Sequence, residues 1–180
     1  MRFAYADPPY PGECRRYGHR HEEPFGCWDD LATHATLAAV LADFDGFALS
    51  TSASRLREVW NLVPDARCAG WQKTWAVNGW SRVRWTWEPV LFVTPRRNIP
   101  PGARSTTWDG LVCRPALNQW RETEQNGGEK PYEFVRWVLG LLGFVPGDTL
   151  DDLFPGSGAV GRFLNVDIPQ LFDEGDRLRG

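Results

Sequence analysis

Two short segments of this chain carry residue types that can do chemistry. The first is Asp7-Pro8-Pro9-Tyr10. An exocyclic amine on a nucleobase is a poor nucleophile, because its lone pair is delocalised into the ring. A carboxylate and a backbone carbonyl can accept both of its N–H bonds and draw the nitrogen towards tetrahedral geometry. The same acceptors stabilise the positive charge that develops as the amine attacks an electrophilic methyl group. The prolines stiffen the turn, and the ring of Tyr10 offers an extracted base a stacking face. Asp and Pro are also ordinary turn residues, so the segment taken alone reads equally as a plain turn.

The second segment is Phe154-Pro155-Gly156-Ser157-Gly158. Glycines between a strand and a helix let the backbone approach a ligand, and the helix N-terminus favours anionic groups. Such a turn also fits nucleotide or dinucleotide binding, and Gly156, Gly158 and Gly161 match the spacing of the dinucleotide fingerprint. That alternative expects a further strand with an acidic residue about 20 residues on, and nineteen residues follow Gly161.

Other clusters carry weaker expectations. Cys14, His19, His21 and Cys27 have the residue types of a zinc site, but their spacing matches no common pattern. A phosphate-contacting loop built on Arg15, Arg16 and Arg20, or a solvated loop, suits that stretch better. Five of the ten tryptophans lie between Trp71 and Trp87. They read as core or hairpin packing first and as a base-stacking platform second. Ser50-Thr51-Ser52 suits either a helix cap or a substrate edge.

The elements that must position these residues alternate between strand and helix. Phe3–Ala6 is a short strand that the tandem prolines stop. Thr33 caps a helix over 34–43, and Gly46–Ser50 is a second buried strand. Ser52 or Ser54 opens a helix that Pro64 closes. Residues 66–75 read as strand or loop, Asn78-Gly79 as a turn, and Val83–Val93 as the longest β-like run. Residues 94–130 show no periodicity. Lys130-Pro131 begins a helix with Phe134, Val135, Val138, Leu139 and Leu142 on one face, ended at Gly143 or Gly147. Asp148–Phe154 is a strand leading into the glycine turn, and Ala159–Leu164 starts another helix. The pattern predicts an α/β domain over 1–180, its sheet mostly parallel and covered by helices on both faces.

In order along the chain, Asp7-Pro8-Pro9-Tyr10, Gly128-Glu129-Lys130-Pro131 and Asp152-Leu153-Phe154-Pro155-Gly156-Ser157-Gly158 resemble the beta-class amino-methyltransferases of DNA. Trp87-Glu88-Pro89 and the apolar run to Val93 are similar to a late strand of that family. The resemblance covers nearly the whole chain. It implies a Rossmann-like methyltransferase fold in circularly permuted, minimal form, using S-adenosylmethionine without a metal. It implies that Asp7, with the main chain of Pro8 in the turn that Pro9 completes, holds the target amine, and that Tyr10 stacks on the base. Asp152, Phe154, Pro155, Gly156, Ser157 and Gly158 would line the cofactor pocket, with Lys130 and Pro131 closing its other side. Asp167 is the nearest counterpart of the family's ribose-binding acid, and 94–127 stand where a target-recognition segment would lie. Asp at the first motif position points to adenine N6, with DNA ahead of RNA. Methylation of cytosine N4, or a non-catalytic module binding nucleic acid or a protein, are the alternatives. A homodimer or protein partner stays open.

The bulk composition is ordinary for a soluble globular protein. Hydrophobic residues make up 42% and charged residues 24% of 180, with four dispersed cysteines that read as free thiols. A formal net charge of −3 means that any attraction to nucleic acid must come from local basic clusters such as Arg82/Arg84 and Arg96-Arg97. No apolar run is long enough to span a membrane. The opening residues lack a leader-like apolar core, so a cytoplasmic location is expected.

Overall fold

The computed structural model describes residues 1–12, 28–73, 82–83, 85–98, 107–113, 130–156 and 158–166. Six strands among them form one sheet in the order β5-β3-β4-β2-β1-β6. They are β1 (Arg2–Ala6), β2 (Gly46–Ser50), β3 (Arg67–Gln72), β4 (Trp87–Val93), β5 (Gly110–Val112) and β6 (Thr149–Asp152). β1 pairs in parallel with β2 and β6, and β3 in parallel with β5. β4 is antiparallel to both its neighbours, so the sheet is mixed, with one strand running against the other five.

Alternation along β1 builds the two core layers. Phe3 and Tyr5 point to one face and Ala4 and Ala6 to the other, and all four are buried. A strand segment buried on both faces reads as a near-continuous apolar run, as Phe3–Ala6 does after the exposed Arg2. The Phe3 face is covered by α3 (Tyr132–Leu142) and α4 (Ala159–Val166), through Phe134, Val138, Leu142, Val160 and Phe163. The Ala4 face is covered by α1 (Leu31–Leu41) and α2 (Leu56–Leu62), through Leu37, Leu41 and Val59.

Several boundaries differ from the sequence expectation for local reasons. Asp30, not Thr33, caps α1, its carboxylate accepting from the Ala32 N–H at 3.0 Å. Thr33 lies inside the helix and is buried. A 3-10 turn over Ala53–Arg55 precedes α2. β4 begins at Trp87 rather than Val83. The long 94–127 stretch contributes β5, three residues that are too few to show a period. α3 ends as its sequence suggests. Gly143 adopts φ +67°, and Phe144 N–H reaches back to the Leu139 carbonyl at 2.9 Å, the bond that closes such a terminus. The Asn78-Gly79 turn lies outside the described residues.

Candidate active site

The strand directions place the chemistry-bearing residues along one edge. β1, β2, β3 and β6 end there, and β4, running the other way, begins there. β1 is flanked by β2 on one side and by β6, which arrives last in the chain, on the other. The helix after β1 covers one face and the helix after β6 covers the opposite face. A crevice beyond the strand ends at such a switch point is where open α/β sheets bind ligands.

Asp7 and Asp152 flank this point. Tyr5 lies opposite Asp152 in the β1–β6 register, and the Leu153 N–H donates to the Tyr5 carbonyl at 2.9 Å. In the turn that follows β1, Pro8 and Pro9 are buried while Asp7 and Tyr10 are half-buried. The Tyr10 hydroxyl donates to Asp7 Oδ1 at 3.0 Å, and Lys130 Nζ lies 3.1 Å from Oδ2. Burial pushes the Asp7 carboxyl above its usual range and Glu88 adds to the rise, with Lys130 and Tyr10 opposing it. Burial, together with the charge of Asp7, lifts Asp152 to about 6 against the Phe154 N–H that donates to its Oδ1 at 3.2 Å. Two carboxylates with raised pKa values at adjacent strand ends mark a candidate site on physical grounds.

Lys130 stands at the entrance to α3, just before Pro131, which is buried and takes the N-cap position. Its ammonium is also bound to Glu88 Oε1, while Glu88 Oε2 accepts from Lys73 at 2.7 Å. The ammonium lies over the rings of Phe134 (5.1 Å) and Trp71 (5.4 Å), and Lys73 over Trp71 at 4.7 Å. Burial works against the charge on Lys130, yet its two carboxylate partners hold its pKa well above the ordinary value. Glu88 is likewise opposed by burial, and the two lysines bring it down to about 2. Lys73 and Glu88 are contributions that the two sequence segments do not reveal. Lys73 directly follows β3 and Glu88 lies on β4, and the antiparallel pairing of the two strands sets Trp71 opposite Glu88. Glu88 in the Trp87-Glu88-Pro89 strand is the one visible hint.

Beyond the end of β6 the glycine turn joins that strand to α4. Gly156 (φ +46°) and Gly158 (φ +77°) occupy the left-handed region, which other residues rarely adopt. The Gly158 carbonyl accepts the Arg162 N–H at 2.9 Å, beginning the helix. Pro155 and Gly156 are exposed, and Phe154 is half-buried. Phe154 packs edge-to-face on buried Trp28 at 5.0 Å, and Trp28 in turn meets His34 of α1 at 5.2 Å. Trp28, at the edge of a stretch that reads as polar loop, is thus a support for this turn. Ser157 and Asp167 lie outside the described residues, as do Cys14, His19, His21 and Cys27 and the basic loop that holds them.

Of the tryptophan cluster, Trp71 is buried core, Trp87 is half-buried and Trp85 is exposed, while Trp75 and Trp80 lie outside the described residues. Ser50 serves the site's floor, its hydroxyl 3.1 Å from the Tyr5 hydroxyl in the core.

No protein-family model matches the chain, and no curated protein is significantly similar to it. Among solved structures the chain is similar to a crystal structure of an M1.HpyAVI–SAM complex, with a TM-score of 0.55 at 16% identity. The match covers 93% of this chain and 79% of that one. The two share an α/β fold. Among the described residues, no helix is long and apolar enough to cross a membrane.

Proposed function

We propose that this protein is an S-adenosylmethionine-dependent methyltransferase acting on the N6 amino group of adenine in DNA. One observation carries the reading: Asp7 and the Asp152–glycine turn stand on adjacent strand ends, either side of the sheet's switch point. This sets an acceptor for an amine beside a turn suited to a small ligand. The shared fold with a protein solved as a SAM complex supports the cofactor assignment.

The residues present fit that cofactor. Asp152 supplies a carboxylate for a cationic or hydroxyl-bearing ligand, and the positive-φ glycines keep the turn free of side chains at two positions. Phe154, backed by Trp28, offers an apolar wall. Lys130 and Pro131 close the opposite side at the start of α3. S-adenosylmethionine supplies an electrophilic methyl group on a sulfonium whose departure as a thioether needs no Lewis acid.

The protein's own contribution is electrostatic and positional. Asp7, in its ionised form, accepts an N–H of the incoming amine. A carboxylate has about four lone-pair sites, so the bonds from Tyr10 and Lys130 leave room for one more. As the new C–N bond forms, the amine becomes positive and its attraction to Asp7 strengthens, which lowers the barrier rather than merely binding substrate. The surplus proton then leaves the methylated amine through this acceptor or to solvent. Tyr10 supplies the ring on which an extracted base stacks. Residues 94–127 are the candidate recognition segment, which β5 joins to the sheet by pairing with β3.

Calorimetry tests the cofactor half of this reading. The intact protein is expected to bind S-adenosylmethionine or its demethylated product, and Gly156→Val to abolish binding, because valine is strained at that backbone conformation. A folded wild-type protein that binds neither would refute the reading.

A further inference from the structure

Glu88 invites a question that the amine-acceptor role of Asp7 does not answer. It is a carboxylate 7% exposed, on a strand that carries neither motif, yet it binds the same ammonium as Asp7. We propose that Glu88 is a positioning residue for methyl transfer. Held by Lys73, it draws the Lys130 ammonium partly away from Asp7 and so preserves Asp7's capacity to accept the substrate amine. The inference rests on the methyltransferase reading and deepens it.

The argument is one of charge sharing. Asp7, Glu88, Lys73 and Lys130 form a single chain of contacts whose formal charges cancel. Lys130 is only 9% exposed, so water does little to satisfy its three protons. With Glu88 present it divides between two carboxylates and two aromatic faces. Without Glu88, Asp7 would be its sole anionic partner among the described residues. The ammonium would then neutralise Asp7 and occupy the lone pairs that the amine needs. Without Lys130, in contrast, the half-buried Asp7 would stay protonated to higher pH and donate where it should accept. Glu88 sets the balance between these two failures.

Other groups face Asp7 as well. Tyr10 donates to it from the same turn, Tyr5 lies beneath it on β1, and Asp152 adds negative charge from β6. Lys73 acts on it through Glu88. None of these takes over the sharing of the ammonium, because Lys130 touches only Asp7 and Glu88 among the described carboxylates.

A purely structural ion pair tying β4 to α3 would affect stability and nothing else, so the decisive readouts are titrations. The full-length protein, labelled with 13C at aspartate carboxyls, is titrated without substrate, and the pH profile of single-turnover methyl transfer is recorded alongside. Glu88→Gln is expected to move the Asp7 midpoint down by about one pH unit, to move the acid limb of transfer with it, and to slow transfer about tenfold on the alkaline plateau. Lys130→Met is expected to move the same midpoint up. Should Glu88→Gln not fold, Glu88→Asp, which keeps the charge but shortens the reach, is expected to give a smaller shift in the same direction. Intact transfer with an unmoved Asp7 midpoint in the Glu88 variant would overturn the inference alone. Absence of transfer in the folded wild type, with the midpoint still moving, would instead refute the methyltransferase reading and leave the coupling of Glu88 to Asp7 standing.

Discussion

Two carboxylates at opposite ends of the same sheet are built into opposite surroundings. Asp148, just before β6, receives Arg96 through both oxygens, the Met1 ammonium at 2.9 Å and the Val145 N–H at 2.9 Å. The hydrogen bonds from Arg96, helped by those from the Met1 ammonium and the Val145 N–H, hold its pKa far below the ordinary range against the opposing effect of burial. Asp7, just after β1, is pushed up by burial, which one shared ammonium and one phenol only partly offset. The first has its acceptor capacity filled by the protein. The second has donors enough to hold it in place and lone pairs left over. A saturated carboxylate joins elements together, here the chain start, the end of α3 and the approach to β6, whereas an unsaturated one can act on something else.

Removing each in turn is the harshest way to break that comparison. Asp7→Ala should lower turnover on the order of a hundredfold or more, the scale of losing one preorganised partner of a developing charge. Asp7→Asn, which keeps the shape but not the charge, should be nearly as poor, with cofactor affinity little changed in both. Steady-state kinetics beside calorimetry checks this. Asp148→Asn should do the reverse, costing about 2 kcal/mol of stability through weakened charge-assisted bonds while turnover per folded molecule stays intact. Urea unfolding measures it. The contribution of Asp148 is present above its unfolded pKa of about 4 and disappears as pH falls below that value towards its depressed folded one. The wild type should therefore lose more stability than the variant on acidification from pH 5 to pH 2.

The sequence reveals the two regions unequally. Asp7 and Asp152 are readable because each stands at the end of a short strand ahead of a proline or glycine turn, and a parallel α/β order brings such strand ends to one edge. Glu88 reaches that edge only because β4 runs against its neighbours, and Lys73 meets it there because β3 ends where β4 begins; periodicity carries no strand direction. The Arg96–Asp148 tie is invisible for a similar reason: it joins residues 52 apart through a loop following β4. β5 is too short to carry a period, and Asp30 displaces Thr33 as cap because its carboxylate reaches the Ala32 N–H two residues on. The fold class is legible at the level of elements, and the motif residues at the level of turns. The second layer of charges around them depends on strand register, which only the structure supplies.

Smaller changes sharpen the contrast. Gly143→Ala, at the end of α3 beneath Arg96, forces a side chain into the left-handed region, where its Cβ would sit 3.2 Å from Arg96 Cβ. It should cost about 1–2 kcal/mol of stability, read by thermal or urea unfolding, with no change in turnover. Tyr10→Phe should be the mildest. It removes the hydroxyl that helps keep Asp7 ionised but retains the ring, so the acid limb of turnover should move slightly upward in pH while the plateau holds. Tyr10→Ala should also lose the stacking face, worth about 1–3 kcal/mol per base, seen as weaker substrate binding.

The central claim is that Asp7 is the acceptor of an adenine amine during methyl transfer. Methyl-labelled S-adenosylmethionine incubated with duplex DNA, single-stranded DNA and RNA, followed by digestion to nucleosides, tests it most directly. The account predicts label in N6-methyldeoxyadenosine with the wild-type protein and its near-absence with folded Asp7→Ala. Label appearing instead on cytosine N4 would transfer the assignment to the other amine. Label undiminished in Asp7→Ala, or none from the folded wild type on any of the three substrates, would contradict the account.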